Sequence, residues 1–234
     1  MLIDAIRSLL AGGSVSGEAI LMQIIATLFV IFCILPLHEF AHGWMAEKLG
    51  DHTARAAGRL TMNPLASLDP FGALFLLLFG FGWAKPVPVN PWNFKKPKRD
   101  MAITALAGPV SNLLAALVGG ILYFALYLFV LPSASTSVFI AVDAFLSAYI
   151  VINVSLAVFN LLPIPPLDGS RVVSAFLSDR AMAAYYRYQN AIVMVLFLLL
   201  FSGVLDSPLN IAQNAALDGI LWLSSLPFKL LGAL

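Results

Sequence analysis

The sequence predicts an all-α polytopic membrane protein. It is expected to have about five to six transmembrane helices, a re-entrant hairpin and a small membrane-associated β element. Three observations carry this. Of 234 residues, 61% are hydrophobic and 11% charged, with a mean hydropathy of +0.93. A soluble domain is about half apolar and about one quarter charged. So few charges cannot clothe a water-facing surface, and the same scarcity excludes disorder. Next, apolar runs of spanning length recur along the chain. Last, the polar segments between them carry Pro, Gly and most of the Lys and Arg.

The elements follow in chain order. Residues 1–18 read as an interfacial segment, with no basic stretch, apolar core and cleavage site to suggest a removable leader. Residues 19–48 open as a transmembrane helix, AILMQIIATLFVIFCILPL, and run into HEFAHGWMAEKLGD. Residues 49–70 are polar and marked by Gly and Pro. Residues 71–83, FGALFLLLFGFGW, are apolar. As helix they would rise only about 20 Å, short of a core of about 30 Å, so a re-entrant hairpin is expected. Residues 84–100 are basic and proline-rich. Helices are expected over 101–131, 138–162 and 188–205, with an irregular then polar stretch at 163–187. Residues 209–232 are apolar enough to cross or to lie in the interface, with Asp218 mid-run.

Charge orients these elements. Lys85, Lys95, Lys96, Lys98 and Arg99 fall in 84–100, Arg171, Arg180 and Arg187 in 163–187, and Arg55 and Arg59 in 49–70. The 132–137 connection has no such charge. The three basic stretches should face the cytoplasm. Both ends of 71–83 then lie on one side, which a single span cannot satisfy. The net charge of +1, from 13 Lys+Arg and 12 Asp+Glu, excludes a concentrated basic face for nucleic acid. The single cysteine, Cys33, packs as a small apolar residue.

Ionisable residues inside apolar runs are costly and mark function. His38-Glu39-Phe40-Ala41-His42 places two imidazoles one helical turn apart on one face. Such a pair can bind a divalent metal, with Glu39 as general base on the metal-bound water. The second place is Asn160-Leu161-Leu162-Pro163-Ile164-Pro165-Pro166-Leu167-Asp168-Gly169. Its prolines must end the preceding helix. Asp168 then arrives at membrane depth on irregular backbone, tolerated only in a protein interior or a wet cavity. Asp168 reads either as the N-cap of a following helix or as a third metal ligand, completing a set that leaves one position open for water.

The two motifs together, with Ala-Gly-Pro-Val-Ser-Asn at 107–112, resemble the site-2 protease family of intramembrane zinc metalloproteases, peptidase family M50. The resemblance covers residues 19–180. It implies an integral membrane protein, expected in the cell (inner) membrane with its active site toward the cytoplasm. It implies a zinc endopeptidase that cleaves a substrate's transmembrane segment in the bilayer, to release a tethered regulator or clear a remnant peptide. His38, His42 and Asp168 would hold Zn2+, with Glu39 catalytic and no organic cofactor. The catalytic membrane core would be 19–187, between the interfacial 1–18 and C-terminal transmembrane or interfacial helices at 188–234. No length remains for the PDZ or CBS domains of other members. The expected partners are the substrate segment and the lipid bilayer; the oligomeric state is not readable.

An unwound substrate needs backbone partners in a dry site, which a strand edge would supply. The alternating Gly58–Asn63 is preferred, with Arg59, Leu60 and Thr61 as substrate contacts; Val87–Asn90 suits only an edge because of Pro88. Asn153 and Asn160 share one helical stripe. Asn160 matches the family's substrate-handling asparagine, and Asn153 and Asn112 would support the site from behind its ligands. The competing reading is a metal transporter or metal-binding scaffold. A different membrane zincin, using a downstream glutamate as third ligand, is disfavoured, because the chain's only glutamates are Glu18, Glu39 and Glu47.

Overall fold

The computed structural model describes residues 17–79 and 82–233. Among these, every regular element is helical. The interfacial segment expected at 1–18 lies outside them except for its last two residues, which open the first helix. That helix, α1 (Gly17–Phe29), passes through a π-helical turn, Val30–Ile34, into α2 (Leu35–Leu49). Pro36 has no N–H to give to the preceding turn, and the wide turn just before it absorbs the mismatch. α2 stops at Gly50, whose φ of 106° is the left-handed conformation that closes a helix cheaply only for glycine.

Two short helices follow, α3 (Thr53–Ala56) and α4 (Pro64–Ser67), then the apolar α5 (Pro70–Phe79). At ten residues α5 rises about 15 Å. The chain then comes back in extended form over 82–90, and the Lys85 N–H donates to Ser67 O at 2.9 Å. The two ends of the 68–84 excursion therefore meet. Two long helices make the centre, α6 (Pro97–Phe129) and α7 (Thr136–Asn160). The prolines after Asn160 break the chain as expected. α8 (Asp168–Ser174), α9 (Asp179–Arg187), α10 (Gln189–Phe201) and α11 (Asp206–Leu230) complete it.

Among the described residues, three helices are long and apolar enough to cross a membrane: Ile20–Leu49, Pro97–Phe129 and Thr136–Asn160. A fourth is gained if α9 and α10, bent by 60°, count as one span. The chain is thus an all-helical integral membrane protein with fewer evident spans than the five to six expected. α5 is short, and α11 carries Asp206, Asn210, Gln213, Asn214 and Asp218. α11 nonetheless packs on the bundle, with Ser224 against Gly120 of α6.

The expected β element does not form among the described residues. Gly58–Asn63 is a series of turns and bends, with Gly58 at φ 65°. Its polar groups serve local turns: the Asn63 N–H donates to Thr61 Oγ1. The extended stretch is 82–90 instead. Val30, Ile34, Ala116, Ile150 and Val154 form the core where α1, α6 and α7 meet. Since lipid is as apolar as these side chains, close packing rather than escape from water holds the helices together.

Candidate active site

α2 carries His38, Glu39 and His42, all buried. The two imidazole Nε2 atoms lie 3.0 Å apart. Asp168 reaches them from the start of α8, its Oδ2 3.2 Å from each Nε2. Its carboxylate does not cap the helix, where Leu167 holds the N-cap position. A glycine makes this approach feasible: a Cβ on Gly169 would strike the carbonyls of Leu161 and Leu162. Only there can α8 fold back on the end of α7. Gly108 serves the other side, since a Cβ there would collide with both imidazoles. That is the physical content of the Ala-Gly-Pro stretch in α6.

The remaining imidazole nitrogens decide what the cluster can hold. His42 Nδ1 lies 2.7 Å from the Thr104 carbonyl, which only accepts, so Nδ1 carries the proton. His38 Nδ1 lies 2.6 Å from Asn112 Oδ1 and donates to it. In neutral imidazoles both Nε2 atoms are then bare acceptors, facing each other and a carboxylate oxygen in a buried space. These three groups, within 4.8 Å of one another, could hold a metal ion there. Two neutral imidazoles and a carboxylate are a donor set for zinc with a position left open.

Glu39 points into the same cavity, which measures about 190 Å³. Its Oε2 accepts the Val87 N–H at 2.8 Å. Val87 belongs to the extended 82–90 segment, a strap across the cavity mouth. Lys85 is pinned to Ser67, and the Arg59 Nη2 donates to Lys85 O at 2.8 Å. At the far end the Asn90 N–H donates to Asp51 Oδ2 at 2.7 Å. Asp51 is wholly buried and also accepts from Thr53 and Asn93. Burial opposes its charge, but these hydrogen bonds prevail and hold its carboxyl below the usual range.

Asn160 and Arg171 line the cavity, with Ala84, Pro86 and Val87 opposite. Asn160 Nδ2 donates to Leu156 O within its own helix. Arg59, Leu60 and Thr61 do not line it. Arg59 braces the strap, Leu60 packs behind α2 near Gly43, and Thr61 closes a turn. Asn112 and Asn153 are fully buried in contact with each other behind His38. His52 is exposed and pairs with Glu47 at 2.8 Å, away from the cluster. Val87 opens the Val87–Asn90 stretch expected as an edge, but its N–H meets Glu39 rather than a partner strand. Arg171, read from the sequence as an orienting charge, also lines the cavity, one helical turn after Asp168.

A second, apolar groove of about 210 Å³ adjoins the cavity. Phe159, Val193, Leu196, Phe197 and Leu200 line it, and it shares Gly82, Trp83, Pro166 and Leu167 with the cavity.

Comparison with known proteins agrees with this geometry. The model of "Peptidase family M50" matches residues 26–203. YwhC of Bacillus subtilis, named provisionally as a zinc metalloprotease, is 40% identical over 90% of this chain and 94% of its own. Rip2 of Mycobacterium tuberculosis, named in the same way, is 31% identical over 81% of this chain and 73% of its own. MJ0611 of Methanocaldococcus jannaschii, again so named, is 32% identical over 58% of this chain and 62% of its own. No solved structure matches. The chain belongs to peptidase family M50, and by that membership it is a zinc metallopeptidase.

Proposed function

We propose that this protein is an intramembrane endopeptidase that cleaves transmembrane segments of membrane-anchored substrates, to release a tethered regulator or clear a remnant peptide. One observation carries the reading. The buried cluster of His38, His42, Asp168 and Glu39 faces a cavity that shares a wall with an apolar groove beside α10. A water-requiring reaction needs the first, and a substrate arriving from lipid needs the second.

His38 Nε2, His42 Nε2 and the Asp168 carboxylate would hold the zinc. When bound, zinc polarises a carbonyl and lowers the pKa of its water toward about 7. Glu39 is the group in the cavity that can take a proton from the attacking water and return it to the leaving amine. Val87 leaves one Glu39 oxygen free for this while fixing the other. The extended strap gives an unwound substrate a backbone to lie along, and Asn160 an amide to meet it. Arg59 contributes by holding the strap.

The meeting of Lys85 with Ser67 supports a re-entrant path for 71–83. With basic loops at both its ends, the active site opens to the cytoplasmic side of the cell membrane. Residues 19–187 then form the catalytic core, with 188–234 adding the C-terminal helices beside the groove.

The test is a panel of single-pass substrates in proteoliposomes, with products mapped by mass spectrometry. Cleavage within the apolar stretch is expected, and none by Asp168→Ala. Cleavage confined to water-exposed flanks or to soluble peptides would overturn the intramembrane reading.

A further inference from the structure

We infer that Asn153, on α7, sets the protonation of His38 on α2 through Asn112 on α6, and so keeps His38 Nε2 bare for the metal. The argument rests on hydrogen-bond direction. Asn153 Nδ2 lies 2.9 Å from the Tyr149 carbonyl. A carbonyl only accepts, so the amide nitrogen of Asn153 must face it. Asn153 Oδ1 is thereby turned toward Asn112, which must donate with Nδ2, at 3.4 Å. Asn112 Oδ1 is then turned toward His38 Nδ1, at 2.6 Å, and that nitrogen must carry the proton.

Flipping Asn112 would set oxygen against oxygen at the Asn153 end, and at the other would turn an N–H on His38 Nδ1 and so send the ring proton to Nε2. Asn112 and Asn153 are both 0% exposed and His38 is 5% exposed, so water cannot repair such a mismatch. His42 needs no relay, since the Thr104 backbone carbonyl fixes it directly. One histidine is locked by backbone, which no side-chain substitution removes. The other is locked by two amides and a helix carbonyl.

This inference rests on His38 being a metal ligand, and it assigns Asn153 as a positioning residue. The experiment compares Asn153→Leu in two backgrounds, wild type and Asn112→Asp. Both oxygens of a carboxylate accept, so Asp at 112 takes the His38 proton whichever way it is turned. Asn153 then has nothing left to orient.

Zinc affinity of the full-length protein in detergent is measured by competition with a chromophoric chelator. In the wild-type background Asn153→Leu should weaken zinc about tenfold, in the range usual for a partner behind a metal ligand. In the Asn112→Asp background it should not weaken zinc, because there Asn153 Oδ1 opposes a carboxylate oxygen and orients nothing. Asn153→Ser, whose side chain is too short to orient Asn112, should repeat the pattern if leucine disturbs packing. The Co2+-substituted absorption spectrum should follow the same pattern. An equal loss in both backgrounds, or no loss in either, would overturn the relay and leave a packing role. His38→Ala distinguishes the deeper failure: full zinc affinity in that variant would overturn the ligand assignment itself.

Discussion

The helices that carry His38, His42 and Asp168 fix each donor from behind, whereas the extended strap opposite them is held at a few backbone points. In the cradle, two imidazoles are backed by the Thr104 carbonyl and the Asn112 amide. Gly108 and Gly169 remove atoms so that three helices can converge. In the strap, the N–H groups of Lys85, Val87 and Asn90 donate to Ser67, Glu39 and Asp51, and the Lys85 carbonyl accepts from Arg59. Pro86 and Pro88 between them have no N–H to give. The side of the histidines and Asp168 is over-determined and the strap under-determined. That division suits the proposed function, in which one side holds an ion and the other admits varied peptide backbones.

The largest effect should come from the cradle. Asp168→Ala should lower zinc affinity by more than the ~10–100-fold typical of losing an outer partner, and abolish proteolysis with it; chelator competition reads the first. Gly108→Ala should also weaken zinc by at least about tenfold, because the new Cβ displaces both imidazoles at once. Normal zinc in Gly108→Ala would mean that the cradle is looser than described.

Changes in the strap should spare the metal. Val87→Pro removes the N–H on Glu39 in a segment that is already extended and proline-flanked. It should reduce kcat about 10–100-fold, corresponding to a loss of about 1.5–3 kcal/mol, with zinc unaffected. A parallel fall in zinc would join the two regions that the comparison separates.

The smallest effect concerns the strap's anchor. Asp51→Ala removes the acceptor of the Asn90 N–H and of Thr53, and should cost about 1–3 kcal/mol of stability. The Asp51 carboxyl titrates lower in the folded chain than in the unfolded one. Its contribution is therefore full above the ordinary value of 3.8 and is lost as pH falls below that. The difference in unfolding midpoint between wild type and Asp51→Asn should shrink as the medium is acidified through that value.

The cradle was largely legible in the sequence, because each donor is a rare residue at fixed spacing. His38 and His42 announce themselves by i, i+4 placement, and Asp168 by the prolines that deliver it. Helix positions were legible too: 101–131 and 138–162 were expected where Pro97–Phe129 and Thr136–Asn160 form. The strap was legible only in part. Val87–Asn90 was expected as an edge, but its bonds to Glu39 and Asp51 use backbone N–H groups, which every residue but proline possesses, so those partners had no signature. Alternation at Gly58–Asn63 suggested a strand, but without a partner ladder its polar groups close turns instead. Of the five to six spans expected, three to four are evident among the described residues. Hydropathy alone left α11 open between crossing and lying in the interface, and α11 packs on α6 with polar residues along its length. Asn112 and Asn153 were visible as intramembrane amides, but their pairing across two helices is a tertiary fact.

The central claim is that Glu39 moves the proton at a zinc site built from other residues. The most direct test quantifies zinc and proteolysis in the same purified samples of wild type and Glu39→Gln, reconstituted with a single-pass substrate. The account predicts zinc at wild-type stoichiometry and cleavage reduced by about 10²–10⁴-fold in Glu39→Gln. Undiminished cleavage by Glu39→Gln, or full cleavage by wild type freed of zinc, would contradict it.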